Sequence, residues 1–201
     1  MALCAHPLLP HLFGLNIEEK PYFLVSYFYG IGSSSCTLYR ALHSKTLSLS
    51  PYSLGKIILK FYQALQHLHE KPLLHRDIKG DNIFITKINS DYHLMFIDFG
   101  KSIAISKAPS KRKLLAPLQQ EEYRKKHRHI APQIALGQPP SCASDIFSFG
   151  VVMSDVSSKV KAESSFLDGQ NKCLKEDPKQ RCSISYLLVK LEDNLTITNN
   201  K

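Results

Sequence analysis

The sequence predicts an α+β fold, mostly helical with a small antiparallel sheet, on three observations. Leu54, Ile57, Ile58, Phe61, Leu65 and Leu68 recur at the 3.6-residue spacing of an amphipathic helix. Two short apolar runs, Ile83 to Ile85 and Leu94 to Ile97, flank Asn89-Ser90-Asp91, the pattern of a β-hairpin. Between helix and hairpin lies the polar run His75-Arg76-Asp77-Ile78-Lys79-Gly80-Asp81-Asn82, and Asp98-Phe99-Gly100 follows the hairpin. Three charged residues alone read as a solvated loop. Eight consecutive matching positions, set between a helix and a hairpin, form a far more specific signal.

That order of helix, polar loop, hairpin and Asp-Phe-Gly resembles the catalytic half of a protein kinase domain. The resemblance implies a kinase-like fold, with a mostly helical large lobe and a remnant of the small-lobe sheet, and it extends over about residues 6 to 195. Taken in order, His6-Pro7 and Leu8 to Leu15 resemble a turn and a small-lobe strand, and Phe23-Leu24-Val25 resembles the last strand of that lobe. On composition alone, Phe23 to Val25 would equally read as any buried strand. Ser26 falls at the gatekeeper position, and Tyr27 to Gly30 fall at the hinge that holds adenine through backbone groups. The Ser-rich stretch Ile31 to Ser50 predicts a loop with a short helix. Ala131-Pro132-Gln133 sits where the family has Ala-Pro-Glu, and Asp145-Ile146-Phe147-Ser148-Phe149-Gly150 resembles the start of the central buried helix. A buried Asp145 must be paired, and in the family it binds backbone amides of the catalytic loop. Cys173-Leu174, Asp177-Pro178 and Arg181 resemble the late helix pair, with Leu187, Leu188 and Leu191 closing the last helix. The Asn-rich tail from Asp193 is expected to fray. The division expected is 1–30 for the small-lobe remnant and hinge, 31–195 for the large lobe and 196–201 for the tail.

Composition narrows the class. With 43% hydrophobic and 21% charged residues the chain reads as an ordinary globular domain rather than a disordered one. No apolar stretch approaches the ~20 residues of a membrane span. Residues 1–15 are apolar but lack a basic leader and carry Pro7 and Pro10, so no signal peptide is expected. Five scattered cysteines without a C-x-x-C pair read as reduced thiols in a cytoplasmic protein. His6, His11, His67 and His69 show no zinc spacing and read as surface or packing residues. The net charge of +9 is concentrated between Lys101 and His129, where nine Lys/Arg face two Glu. Basic clusters bind phosphate backbones, yet neither a binding fold nor interleaved aromatics accompany this one, so nucleic acid is not the expected partner. A solvated mobile loop, and a site for acidic substrates or an added phosphate, are the two readings left open.

The resemblance implies specific roles. Asp77 is the expected catalytic base and Lys79 the group that neutralises the transferred phosphoryl. Asn82 and Asp98 are the expected Mg²⁺ ligands, an amide and a carboxylate of the hard-oxygen type this ion takes alongside phosphate oxygens. Ser26, Tyr27, Phe28, Asn82 and Asp98 are the expected ATP contacts, with Ile83 and Phe84 as the apolar floor under adenine. Arg76 commonly meets a phosphate in the activation segment in this family. The implied partner is a protein substrate, phosphorylated in signalling; oligomeric state stays open. Lys79 and Gly80 resemble Ser/Thr or tyrosine-kinase-like enzymes, whereas Lys126 falls about where Ser/Thr kinases place a threonine.

Departures from the family pattern bear on activity. The Gly-rich loop, the strand lysine and its glutamate partner are not found upstream of the motif, which implies a truncated domain and weak phosphate grip. Gln133 replaces the glutamate that pairs with the family's equivalent of Arg181, an expected cost of about 3–5 kcal/mol for a fully buried pair. The short stretch from Phe149 to Cys173 predicts a reduced or missing helix. An active kinase, a non-catalytic pseudokinase or scaffold, and an incomplete gene model are therefore the alternatives.

Overall fold

The computed structural model describes residues 6–44, 51–88, 91–110, 114–159 and 164–190. Its organising element is the 20-residue helix α2 (Pro51–Glu70). The expected stripe is buried: Ile57, Ile58, Phe61, Leu65 and Leu68 are all within 3% of full burial. The helix stops where Pro72 could no longer donate to it, and Lys71 N closes the last turn on His67 O and Leu68 O.

Numbered by position along the chain, the short elements around α2 follow the sequence pattern. Strands β1 (Leu12–Asn16) and β2 (Phe23–Ser26) pair antiparallel, from Leu12 with Ser26 to Asn16 with Phe23. Helix α1 (Leu38–His43) is capped by Thr37, whose Oγ1 accepts from Arg40 N at 3.2 Å. The two-residue strand β3 (Leu73–Leu74) pairs with β6 (Ile103–Ala104). Strands β4 (Ile83–Ile88) and β5 (Asp91–Phe96) form the expected hairpin, pairing Ile83 with Phe96 through Ile88 with Asp91. The turn residues Asn89 and Ser90 lie outside the described residues, as do Leu191 and the tail.

The remaining elements are helical. They are α3 (Pro117–Lys126), α4 (Pro132–Ala135), α5 (Cys142–Ser157), α6 (Ser164–Cys173) and α7 over 184–190. The described part of the stretch from Phe149 to Cys173 holds the end of α5 and the ten-residue α6, joined by Ser157 Oγ donating to Gln170 Oε1 at 2.8 Å. The core lies where α2, β5 and α5 meet. Phe61 stacks on Phe149 with ring centres 4.4 Å apart and lies 4.1 Å from Phe96, while Tyr62 meets Phe149 edge-on at 4.5 Å. Such aromatic pairs add about 0.5–1.5 kcal/mol each beyond area burial.

Three expectations are corrected. Phe23, Leu24 and Val25 form a strand, but all three are exposed, in a sheet that among the described residues has only two strands. The basic segment 101–129 is not all loop, since α3 occupies ten of its residues. Pro117 opens α3 at a position where a missing N–H costs nothing, and Arg124, Lys125 and Lys126 in its last turn suit the negative helix end. Three cations of the segment are also paired: Arg124 with Glu176 at 2.7 Å, Lys125 with Glu121 at 2.7 Å, and Arg128, beyond α3, with Asp155 at 2.5 Å. Lys111, Arg112 and Lys113 lie outside the described residues. The third correction concerns the proposed adenine floor. Strand alternation sends neighbouring side chains to opposite faces, so Ile83 enters the core while Phe84 stays half-buried on the other face.

Candidate active site

The polar loop is positioned by Asp145, in the first turn of α5. Its Oδ2 accepts from His75 N at 2.8 Å and its Oδ1 from Arg76 N at 2.9 Å. His69 Nε2, at the end of α2, donates to Oδ2 at 3.2 Å. Three donors thus meet a carboxylate that is 1% exposed, which removes the penalty of burying it alone. For His69, burial pulls the pKa down, but the bonds and charge of Asp145 and Cys142 override it and raise it to about 9. The anchored amide lets Arg76 hold φ 69°, a left-handed conformation that costs a non-glycine residue about 1–3 kcal/mol unless its surroundings enforce it.

Asp77 is 2% exposed, yet both of its oxygens are engaged. Oδ2 accepts from Asn82 Nδ2 at 2.9 Å and lies 3.4 Å from Lys79 Nζ. Oδ1 accepts from Lys101 Nζ at 2.9 Å and from His129 Nε2 at 3.2 Å. Burial pushes the Asp77 pKa up, but Lys101, Lys79 and His129 outweigh it and bring it to about 2. Burial lowers the pKa of His129 despite the nearby carboxylate. An ionised carboxylate only accepts, so His129 takes the tautomer with its proton on Nε2.

Asn82 closes a 3₁₀ turn over Gly80–Asn82. Its Nδ2 also donates to Asp77 O at 2.9 Å. With both amide hydrogens committed to Asp77, Oδ1 is the atom left for a cation. Ile97 N donates to Asn82 O at 3.0 Å, extending the β4–β5 ladder by one step and setting Asp98 beside Asn82. Asp98 is exposed, with φ 60°, and its Oδ1 accepts from Gly100 N at 3.2 Å.

The hinge candidates stand apart from this cluster. Ser26 Oγ donates to Tyr27 O at 3.1 Å, and the Tyr27 ring packs on Phe13 at 4.4 Å. Tyr27 and Phe28 are 55% and 63% exposed. Among the described residues no hydrogen bond or ion pair joins Ser26, Tyr27 or Phe28 to Asp77, Asn82 or Asp98. Their link to the site runs through Gly30, whose carbonyl accepts from Thr86 Oγ1 on β4 at 2.9 Å. Cys36 O also accepts from Ile85 N at 2.8 Å, and Thr37 bridges to Phe84. The segment after the hinge is thereby fixed on the strand that carries Phe84.

Reasoning from sequence missed Lys101 and His129, which reach Asp77 across 24 and 52 positions. The one available signal was the place of Lys101, directly after Asp98-Phe99-Gly100. The expected deficit at Arg181 takes another form. Among the described residues no carboxylate makes a direct ion pair with it, although the charges of Glu176 and Asp177 are felt there; instead Nη2 donates to Gln133 Oε1 at 2.9 Å and to Glu176 O at 3.0 Å, Nη1 to Ala143 O at 2.7 Å and Nε to Lys175 O at 2.7 Å. The unsatisfied group is on the other partner, since Gln133 Nε2 is buried without a hydrogen bond.

Comparison with known proteins agrees with this geometry. A family model described as protein kinase domain matches residues 1–164. The chain is 31% identical over 138 residues to the "Probable serine/threonine-protein kinase mkcF" of Dictyostelium discoideum, covering 65% of this chain and 18% of that protein. It is 30% identical over 112 residues to a serine/threonine-protein kinase of Protochlamydia amoebophila, covering 50% and 11%. It is 29% identical over 139 residues to a MAP kinase kinase of Saccharomyces cerevisiae, covering 69% and 25%. The chain thus spans a quarter or less of the length of these relatives. Among the described residues no helix is long and apolar enough to cross a membrane. With the family match over most of the chain and the loop held on α5 through Asp145, the chain belongs to the protein kinase domain family.

Proposed function

We propose that the chain carries the hydroxyl-orienting and metal-binding half of a Ser/Thr kinase site, with residues 1–30 as small-lobe remnant and hinge, 31–195 as large lobe and 196–201 as tail. The observation behind this reading is the cluster of buried Asp77 and Asn82 with half-buried Lys79 in one loop, Asp98 lying one residue beyond the backbone bond from Ile97 to Asn82. The family generally uses ATP and Mg²⁺. Asn82 Oδ1 and the exposed Asp98 carboxylate suit a hard cation that takes its other ligands from phosphate and water. Bound Mg²⁺ would neutralise charge on the phosphate oxygens.

In this mechanism the substrate hydroxyl donates to Asp77. Its oxygen attacks the γ-phosphorus as the bond to the β–γ bridging oxygen breaks, ADP leaves, and the proton passes to Asp77. A carboxylate held at about 2 accepts that proton late, so Asp77 chiefly orients the hydroxyl. Lys79, 3.4 Å from Asp77, lies where it can meet the charge of the transferred phosphoryl. Ser26, Tyr27 and Phe28 contact adenine and Phe84 underlies it.

A second reading is favoured by one observation. Lys101 and His129 already cover Asp77 Oδ1, so a substrate hydroxyl must displace a partner before reacting. Under that reading the chain is a pseudokinase or scaffold that binds proteins without phosphorylating them. Calorimetry with Mg-ATP and radiolabelled phosphate transfer to a Ser/Thr substrate separate the two. The catalytic reading expects weak nucleotide binding, and an Asp77→Asn loss of about 10²–10⁴-fold in transfer with binding retained. Transfer that survives Asp77→Asn removes the assignment; binding without any transfer by the wild type supports the scaffold.

A further inference from the structure

Cys173 and Cys182 stand apart from the candidate active site and bring two thiols together. Their Sγ atoms are 4.0 Å apart, nine positions distant in sequence. Cys173 ends α6 and is fully buried. It is also pinned: a Cβ built on Gly150 of α5 would lie 2.6 Å from Cys173 Cβ, so Cys173 already fills the notch that glycine leaves. Cys182 is half-buried, in the irregular segment between Arg181 and the start of α7 at 184. The two thiols are therefore unequal in access and in freedom to move. The movable one faces solvent and the fixed one lies beneath it. Neither sulfur sits in a group that could hold a metal among the described residues.

We propose that Cys182 and Cys173 form a redox-active thiol pair, which a hydroperoxide converts to a disulfide linking the end of α6 to the segment that follows Arg181. Cys182 is the attacking sulfur. It takes an oxygen from the hydroperoxide as the O–O bond breaks, giving a sulfenic acid and releasing water or an alcohol. The Cys173 sulfur then attacks Cys182 Sγ, and its thiol proton leaves with the departing hydroxide as water. Two thiol hydrogens are lost and one peroxide bond is reduced. The chemistry of the two thiols runs the same way. The hydrogen bond from Cys173, with Lys172 nearby, lowers the pKa of Cys182 against the effects of burial and Asp168. The hydrogen bond to Cys182 and burial raise that of Cys173. Cys182 attacks as the thiolate, while Cys173 holds its proton at rest and gives it up to the departing hydroxide as its sulfur attacks. Closing the remaining gap asks for a side-chain rotation at Cys182, on the solvent side, while Cys173 stays seated against Gly150.

The inference does not depend on kinase activity, and its test does not use it. The intact chain is treated with hydrogen peroxide, alkylated and mapped by mass spectrometry without reduction. The expected result is one cross-linked species joining the Cys173 and Cys182 peptides, lighter by two hydrogens, with alkylation of both cysteines lost together and restored by a thiol reductant. In Cys173→Ser, a sulfenic-acid probe should label Cys182. In Cys182→Ser, Cys173 should remain alkylatable after peroxide and denaturation. The proposal is overturned if both cysteines of the wild type stay alkylatable while Cys36 or Cys142 oxidises, or if the probe labels Cys173 in Cys182→Ser. Wild-type mapping decides alone should either variant fail to fold.

Discussion

The aromatic side chains of α2, β5 and α5 and those of β1 and β2 look alike in sequence and live in opposite surroundings. Phe61 is 1% and Phe149 0% exposed, whereas Phe13 is 58% and Phe23 53% exposed. The first pair is sealed between three elements, while among the described residues the ribbon is a sheet of two strands whose apolar side chains are exposed. An isolated two-stranded ribbon is marginal in water, because its pairing bonds gain little without a packed face. Apolar character therefore measures what a segment could bury, and the number of layers decides what it does bury.

Hydrogen exchange probes this contrast where it is largest. Amides of Leu65 and Val152 should open only with global unfolding, a free energy of about 5–15 kcal/mol for a typical domain, and those of Leu15 and Val25 should open at close to zero. Equal protection in both regions would show that something covers the ribbon. Substitution gives the next largest effect. Phe149→Ala should cost about 3–5 kcal/mol in urea unfolding, and Phe23→Ala no more than about 0.5 kcal/mol.

A smaller effect of opposite sign is expected at Gln133. Its buried Nε2 has no hydrogen-bond partner among the described residues, and Arg181, itself 8% exposed, makes no direct ion pair with a carboxylate there. Gln133→Glu removes the orphan donor and supplies the charge, so it should stabilise by about 1–3 kcal/mol. A loss of stability would mean that the site cannot accept a second charge.

The last expected effect is a pH dependence confined to the core side. His69 has its pKa raised from 6.5 to about 9 beside Asp145. A raised folded-state pKa contributes stability in full below the unfolded value and loses it as pH rises through the folded one. Unfolding free energy should thus fall between about pH 6.5 and 9, and His69→Ala should flatten that slope. A slope unchanged by His69→Ala would locate the titrating group elsewhere.

What was legible in the sequence was periodic or contiguous. The α2 stripe, the hairpin and the loop from His75 to Asn82 each repeat or run along the chain, and each formed where expected. Asp145, expected to bind catalytic-loop amides, does so. What escaped had no local signature. Helix α3 buries no residue, so no apolar face marks it, and its charges read as loop. Lys101 and His129 reach Asp77 only because separate segments converge on it. The carbonyls of Ala143, Lys175 and Glu176 that receive Arg181 belong to the backbone, whose direction no side-chain pattern records.

The two oxygens of Asp145 fasten the loop from His75 to Asn82 to the same helix that carries Phe149. Loop geometry and core integrity consequently fail as one unit. A lesion deep in α5, with no atom near Asp77, would disturb the surroundings of Asp77 as a substitution in the loop would. A lesion confined to the ribbon would leave that loop in register.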